Sequence, residues 1–294
     1  MRSPDRARGV PSRPPMRICF ASDFHGSRTL YDQLEDLLSG ERPDLVILGG
    51  DMLPDGQEHD PVGTQAAWVH EVFAPRIDAY KQAAPGLTVA CCMGNHDWLR
   101  SEAAVRAEQD ADRLVLLEMQ RVWHFNGVNF LGCPFSPPSP HFAKDYERLD
   151  TAGDALPNFD CAILVTGENG LRELTVEEQF RQRPTLGEEL ATVPTPDQPW
   201  ILVAHAPPHD TKLDRLPSSD HPIGSKAVRR FVESRRPLCA LHGHVHESPA
   251  VSGAYCDEIA GVLCINPGQS HERLQAVLFD PQRLRATLRH TVFA

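Results

Sequence analysis

An α/β fold built on buried parallel strands is what this sequence predicts, and three observations carry the prediction. Short, nearly continuous apolar runs recur along the chain, stretches with helical apolar spacing separate them, and clusters of Asp, Asn and His sit directly after the runs.

The first run, Ile18 to Ala21, reads as a strand. Leu30, Leu34, Leu37 and Leu38 then repeat at helical spacing, and Gly40 is the expected stop. Leu45 to Leu48 is the next buried strand, a helical stretch around Trp68, Val72, Ile77 and Tyr80 follows, and Leu87 to Cys92 is a third strand. A helix is expected over Trp98 to Glu108. Between Val122 and Leu131 two extended runs meet at Asn126-Gly127, where both positions tolerate positive φ, so an antiparallel hairpin enters. Phe135 to Pro140, rich in Pro and Ser, reads as a surface loop that either shapes a substrate pocket or merely connects.

Arg172 to Ala191 has a charged, helical look, and Pro194-Thr195-Pro196 leads into an apolar strand, Trp200 to Ala204. A helix over Ser225 to Arg235 and strands at Leu238 to Leu241, Val262 to Ile265, Leu274 to Phe279 and Leu284 to His290 complete the pattern. No internal repeat of fixed period occurs. The chain of 294 residues can bury one sizeable core, so residues 16–294 are expected to form a single domain. Residues 1–15, rich in Arg, Pro and Ser, lack the apolar stretch of a secretory signal and read as a disordered leader.

Composition narrows the function. The longest apolar runs fall far short of the roughly 20 residues of a membrane span. Eight cysteines without a Cys-x-x-Cys pair are expected to be reduced thiols, which places the chain in the cytoplasm. With 29 Lys and Arg against 40 Asp and Glu, the net charge of -11 disfavours a duplex nucleic-acid partner. Arg229, Arg230, Arg235 and Arg236 are expected on a solvated helix face.

The chemistry gathers at strand ends, where open α/β sheets bind ligands. Asp23-Phe24-His25, Gly50-Asp51, Gly94-Asn95-His96-Asp97, His205 and Gly243-His244-Val245-His246 each follow an apolar run. Asp23 and His25, like His244 and His246, are two apart, so each pair projects to one side of an extended chain. Any one of these pieces arises readily by chance. Five together would crowd ionisable groups without compensation unless a cation joined them. The mixture of imidazole, carboxylate and amide oxygen, without thiolates, suits a first-row divalent metal.

These blocks resemble the calcineurin-like metallophosphoesterase superfamily, whose pattern is Asp-x-His, Gly-Asp, Gly-Asn-His-Asp/Glu, a lone His and Gly-His-x-His. The segments His205-Ala206-Pro207-Pro208, Thr211-Lys212-Leu213-Asp214, Gly224-Ser225-Lys226-Ala227-Val228, His244-Val245-His246-Glu247-Ser248 and Asn266-Pro267-Gly268 look like its Icc-related predicted phosphoesterase branch. The resemblance implies a four-layer sandwich of two facing mixed β-sheets flanked by helices. It further implies one metal on Asp23, His25 and His246, a second on Asn95, His205 and His244, and Asp51 bridging them. Mn is favoured, with Fe, Zn, Ni or Co as alternatives.

Such a pair of ions, about 3.5 to 4 Å apart, would activate a hydroxide for in-line attack on a phosphoester. His96 would stabilise the transition state or protonate the leaving oxygen. Asp97 would orient His96 or a neighbouring ligand, or else cap the helix that follows. Asp55 receives no role, because it lies four positions after Asp51 where many family members carry an acid three positions on. His242 is expected in packing, His209, His221 and His271 in polar loops, and Ser225 as a helix cap rather than part of an anion site. The expected activity is hydrolysis of a small phosphodiester or nucleotide, with diester favoured over monoester. A single-strand nuclease of the same superfamily and a protein-binding adaptor on the same fold are the alternatives. The sequence is silent on oligomeric state.

Overall fold

Alternation along the strands decides the layering. The computed structural model describes residues 16–56, 60–168, 170–219, 221–270 and 272–293, so the leader over residues 1–15 and His271 lie outside the described residues. Strands β1 (Ile18–Ala21), β2 (Leu45–Gly49), β3 (Thr88–Cys92) and β4 (Val115–Leu116) pair in parallel. The hairpin β5 (Trp123–Phe125) and β6 (Val128–Cys133) turns at Asn126-Gly127, whose φ values of 47° and 78° are those the dipeptide tolerates. A small separate sheet follows in β7 (Leu164–Gly167) and β8 (Gly170–Glu173). The chain ends through β9 (Trp200–Ala204), β10 (Cys239–Leu241), β11 (Cys256–Ile259), β12 (Val262–Ile265), β13 (Val277–Phe279) and β14 (Arg289–His290).

Two six-stranded mixed sheets result, in the orders β14-β13-β1-β2-β3-β4 and β11-β12-β10-β9-β6-β5. Ile18, Phe20, Leu45, Ile47 and Ala90 of the first face Phe130, Ile201, Val203, Leu241 and Ile265 of the second, and form one buried core between the sheets. The residues in between, Cys19, Ala21, Val46 and Leu48, pack outward on helix residues Leu30, Tyr31, Leu34, Phe73 and Ile77. On the far side Leu131, Leu202 and Ala240 meet Leu190, Val228 and Phe231. Because successive strand residues point to opposite faces and both faces are covered, the runs read as continuously apolar. Each fully buried Leu, Ile or Phe contributes roughly 1.5–3 kcal/mol. Helices, sheet, sheet and helices make the four layers.

Three segments depart from the sequence reading. Arg172 to Ala191 is not one helix: Gly170–Glu173 is a strand, and two short helices, Val176–Phe180 and Leu186–Ala191, each open on their own Thr-Glu capping box. The charge pattern reflected those boxes rather than a single helical face. Leu284 to His290 begins as helix Leu284–Thr287 and is strand only at Arg289–His290. Gly40 does not stop its helix, which runs Arg28–Glu41 and ends on Arg42 in left-handed backbone at φ 46°. No helix among the described residues is long and apolar enough to cross a membrane.

Candidate metal centre

The loops leaving β1, β2, β3, β9 and β10 carry all the residues that the sequence singled out, and hydrogen bonds lace these loops together. Asp23 N–H donates to Gly50 O (3.0 Å), His25 N–H to Asp51 O (2.8 Å), and Gly243 N–H to His205 O (2.9 Å). Four of the residues so placed hold left-handed backbone: Asp23 (φ 61°), His25 (45°), Asp51 (50°) and His244 (65°). Gly50, at φ 104°, and Gly243 permit the close approach, for a Cβ on Gly50 would overlap the His205 ring and one on Gly243 would lie 2.6 Å from Asp23 Oδ2.

Of the seven predicted ligands, six are linked by close contacts and His246 borders them. His205 Nδ1 donates to Gly49 O (2.9 Å), and a carbonyl only accepts, so once the ring gives up its second proton it turns the lone pair of Nε2 inward. That lone pair faces Asn95 Oδ1 at 3.0 Å and Asp51 Oδ2 at 3.2 Å, which are also acceptors. Asn95 Oδ1 also lies 2.9 Å from His244 Nδ1, and Asp23 Oδ1 accepts the His244 backbone N–H at 2.9 Å. Asp23 Oδ2 is buried without a hydrogen-bond donor. His25 Nε2 lies 3.9 Å from Asp51 Oδ2, and the His246 ring is 5.9 Å from the His25 ring. Lone pairs aimed at one another, with one carboxylate oxygen orphaned, are what a site for cations presents. Asp23, Asp51 and His205 offer ligand atoms that all lie within 4.8 Å of one another, as do those of His25, Asp55 and His96.

Protons answer the same electrostatic demand. Burial lowers the pKa of His205, but the Asp51 charge and hydrogen bond outweigh it and hold the ring at about 9. Burial likewise opposes protonation of His25, yet the bond to Asp55 and the charges of Asp51, Asp55 and Asp23 raise it to about 10. Asp51 stays well below the usual carboxylate range because His205, His96 and His25 override its burial. His244 is pushed down to about 3, by burial and then by the His205 charge, and is therefore neutral.

A cation held by His25 and His205 would displace their protons, so its uptake at pH 7 is expected to release about two protons, measured by calorimetry in buffers of differing ionisation enthalpy. Zero release would contradict this assignment. Because both pKa values are raised, their pairing stabilises the metal-free fold fully below the ordinary 6.5 and is lost as pH rises through about 9 to 10.

Asp55, to which the sequence reading gave no role, is the residue that reasoning missed. Its Oδ1 lies 2.7 Å from His25 Nδ1 and 2.8 Å from His96 Nδ1, so one carboxylate holds a predicted ligand and the predicted acid. The four-residue spacing from Asp51 hid it, although an acid beyond Gly-Asp was the available signal. Asp97 bonds the backbone instead of the His96 ring: it accepts from Gly94 N (2.9 Å), Leu53 N (2.9 Å) and Met52 N (3.4 Å) and fastens the β2 and β3 loops together. Burial, then the charge of Asp51, raises it to about 7. His96 N–H donates to Asp51 Oδ1 at 2.8 Å.

The Pro-Ser loop does border the site, for His141 just beyond it stacks on His96 with ring centroids 3.7 Å apart and planes 7° from parallel. His242 is buried in packing, with Nδ1 on Ala204 O and Ala206 O, both at 3.0 Å. Ser225 caps the helix Lys226–Arg235 through Val228 N, and the anion at that helix end is the chain's own Asp150, which accepts from Lys226 N and Ala227 N. Asn266 donates to Gly243 O (3.2 Å) and Val245 O (3.1 Å), which fixes the Gly-His-Val-His turn.

Solved structures share this fold. One superimposes with a TM-score of 0.60 at 15% identity, covering 95% of this chain and 100% of its own. TT1561 of Thermus thermophilus superimposes with a TM-score of 0.55 at 14% identity, covering 94% of this chain and 98% of its own. A search of the curated proteins finds no significant match. The family model for calcineurin-like phosphoesterases matches residues 16–248, and the chain belongs to that metal-dependent family.

Proposed function

We propose that this chain is a dinuclear-metal phosphodiesterase that hydrolyses a small diester or nucleotide. The observation that carries the reading is the convergence of ligand atoms: Asp51 Oδ2 and Asn95 Oδ1 both lie within 3.2 Å of His205 Nε2, beside the orphaned Asp23 Oδ2. Asp23, His25 and His246 would hold one cation, Asn95, His205 and His244 another, with Asp51 serving both; Mn is the favoured metal. Bound there, such ions supply positive charge to the phosphoryl oxygens and lower the pKa of an attacking water.

The chain's own groups do the rest. Asp55 anchors His96 Nδ1, so a proton in transit sits on Nε2, and the carboxylate stabilises the imidazolium that gives it to the leaving oxygen. Asp97 keeps the Asn95 loop in register with the Asp51 loop and acts by positioning. The preference for diesters rests on charge. Among the described residues the ion pairs made by these ligands join imidazoles to carboxylates, and nearby Lys144 is already paired to Glu147. A singly charged diester needs less added positive charge than a doubly charged monoester.

Residues 16–294 act as one domain on this reading, since β13, near the chain end, pairs with β1 and extends the first sheet toward β14. All eight cysteines are unpaired, six of them buried, which supports a reducing cytoplasmic setting. The test is turnover of bis-p-nitrophenyl phosphate against p-nitrophenyl phosphate by metal-stripped protein reloaded with Mn²⁺. Metal-dependent diester turnover exceeding monoester turnover is expected. Monoester preference would overturn the diester assignment, and no metal uptake would overturn the reading itself.

A further inference from the structure

Between β6 and β9 the chain makes a long excursion that places a lysine and a glutamate at zero side-chain exposure, with Lys144 Nζ 2.8 Å from Glu147 Oε2. Two charges so buried are costly unless every remaining lone pair and proton is used. Here they are used on the site. Glu147 Oε1 takes the Ser139 hydroxyl at 2.5 Å and lies 3.4 Å from Asn95 Nδ2, and Oε2 takes Ser139 N–H at 3.1 Å. Lys144 Nζ donates to Ser139 O at 2.8 Å and also to His141 O. Gln179 locks the turn from behind, donating to Lys144 O (2.6 Å) and Glu147 O (3.1 Å).

Asn95 needs such a partner. The two ends of its amide are nearly the same shape, and only the oxygen can serve a cation. Oδ1 lies 3.0 Å from His205 and 2.9 Å from His244, which leaves Nδ2 on the Glu147 side. A flipped amide would set its oxygen against the glutamate, so the carboxylate favours the orientation that a metal requires. The same pair holds the loop whose His141 lies flat on His96, the next residue along from Asn95.

We propose that the buried Lys144–Glu147 pair is a positioning device for the metal centre, in which Glu147 selects the ligating face of Asn95 and Lys144 holds the His141 loop against His96. This rests on the metal reading above. Replacing a buried ion pair by apolar groups of similar volume is often tolerated, so Lys144→Met with Glu147→Leu is expected to fold, checked by circular dichroism. Lys144→Met with Glu147→Gln removes both charges but keeps an acceptor oxygen for Asn95.

The readouts are the Co²⁺ dissociation constants by calorimetry and the Co²⁺ absorption spectrum of each protein. The leucine variant is expected to bind one of its two ions about tenfold more weakly with an altered spectrum, and the glutamine variant to stay within about threefold of the parent. Parental affinity in a folded leucine variant, or equal loss in the glutamine variant, would overturn the proposal. If the leucine variant does not fold, the glutamine variant decides alone: retained affinity supports the proposal and lost affinity overturns it. A parent that takes up no Co²⁺ would overturn the metal reading, and this inference with it.

Discussion

Replacing Asp51 by asparagine is expected to lower kcat/KM for a diester by roughly a thousandfold, about 4 kcal/mol of transition-state stabilisation, and to weaken binding of both ions. The reason is local. Asp51 Oδ2 faces His205 Nε2 at 3.2 Å and His25 Nε2 at 3.9 Å, so one oxygen lies between both groups of candidate ligands. An amide of the same shape keeps an acceptor for His96 N–H but turns N–H donors toward those ring nitrogens. It would thereby satisfy the lone pairs that otherwise call for a cation. Asp51→Asn is therefore expected to fold normally without metal, and paired Co²⁺ titrations and diester kinetics check it. Undiminished turnover with two bound ions would remove Asp51 from the centre.

His96→Ala is expected to separate rate from metal. His96 bonds Asp55 through Nδ1 (2.8 Å), while Asp55 independently bonds His25 Nδ1 (2.7 Å), so truncating His96 leaves the carboxylate its other partner. Loss of a positioned acid costs about 10² to 10⁴ in rate. A fall in kcat of that size with Co²⁺ affinity nearly parental is the expected pattern, accompanied by a smaller penalty on substrates with better leaving groups. Metal loss as large as that of Asp51→Asn would show that His96 is structural.

The parallel strands were legible because both faces of each sheet are covered, so Ile18 to Ala21 and Leu45 to Gly49 are apolar without interruption. The seven candidate ligands stood out for a related reason: short polar blocks after such runs stand at loop positions a sheet already defines. What escaped was whatever depends on distance between loops rather than order along them. Asp55 reaches His25 and His96 across a turn whose length no spacing rule supplied, and Glu147 meets Asn95 from 52 residues away. Leu284 to His290 was misread because its apolar and polar residues fit a short helix and a strand equally well, and only packing against β13 decides.

The left-handed backbone at Asp23, His25, Asp51 and His244 bears on how such a chain changes under selection. Each departure from the common conformations costs roughly 1 kcal/mol or more and persists because surrounding structure enforces it. Asparagine at the two acids and glycine at the two histidines are the exchanges that ease it, and each removes a group that the proposed centre uses. Drift in a population no longer held to the proposed activity is therefore expected to relax these four positions before it touches the sheets. A screen for thermostability alone, applied without a catalytic assay, would follow the same course.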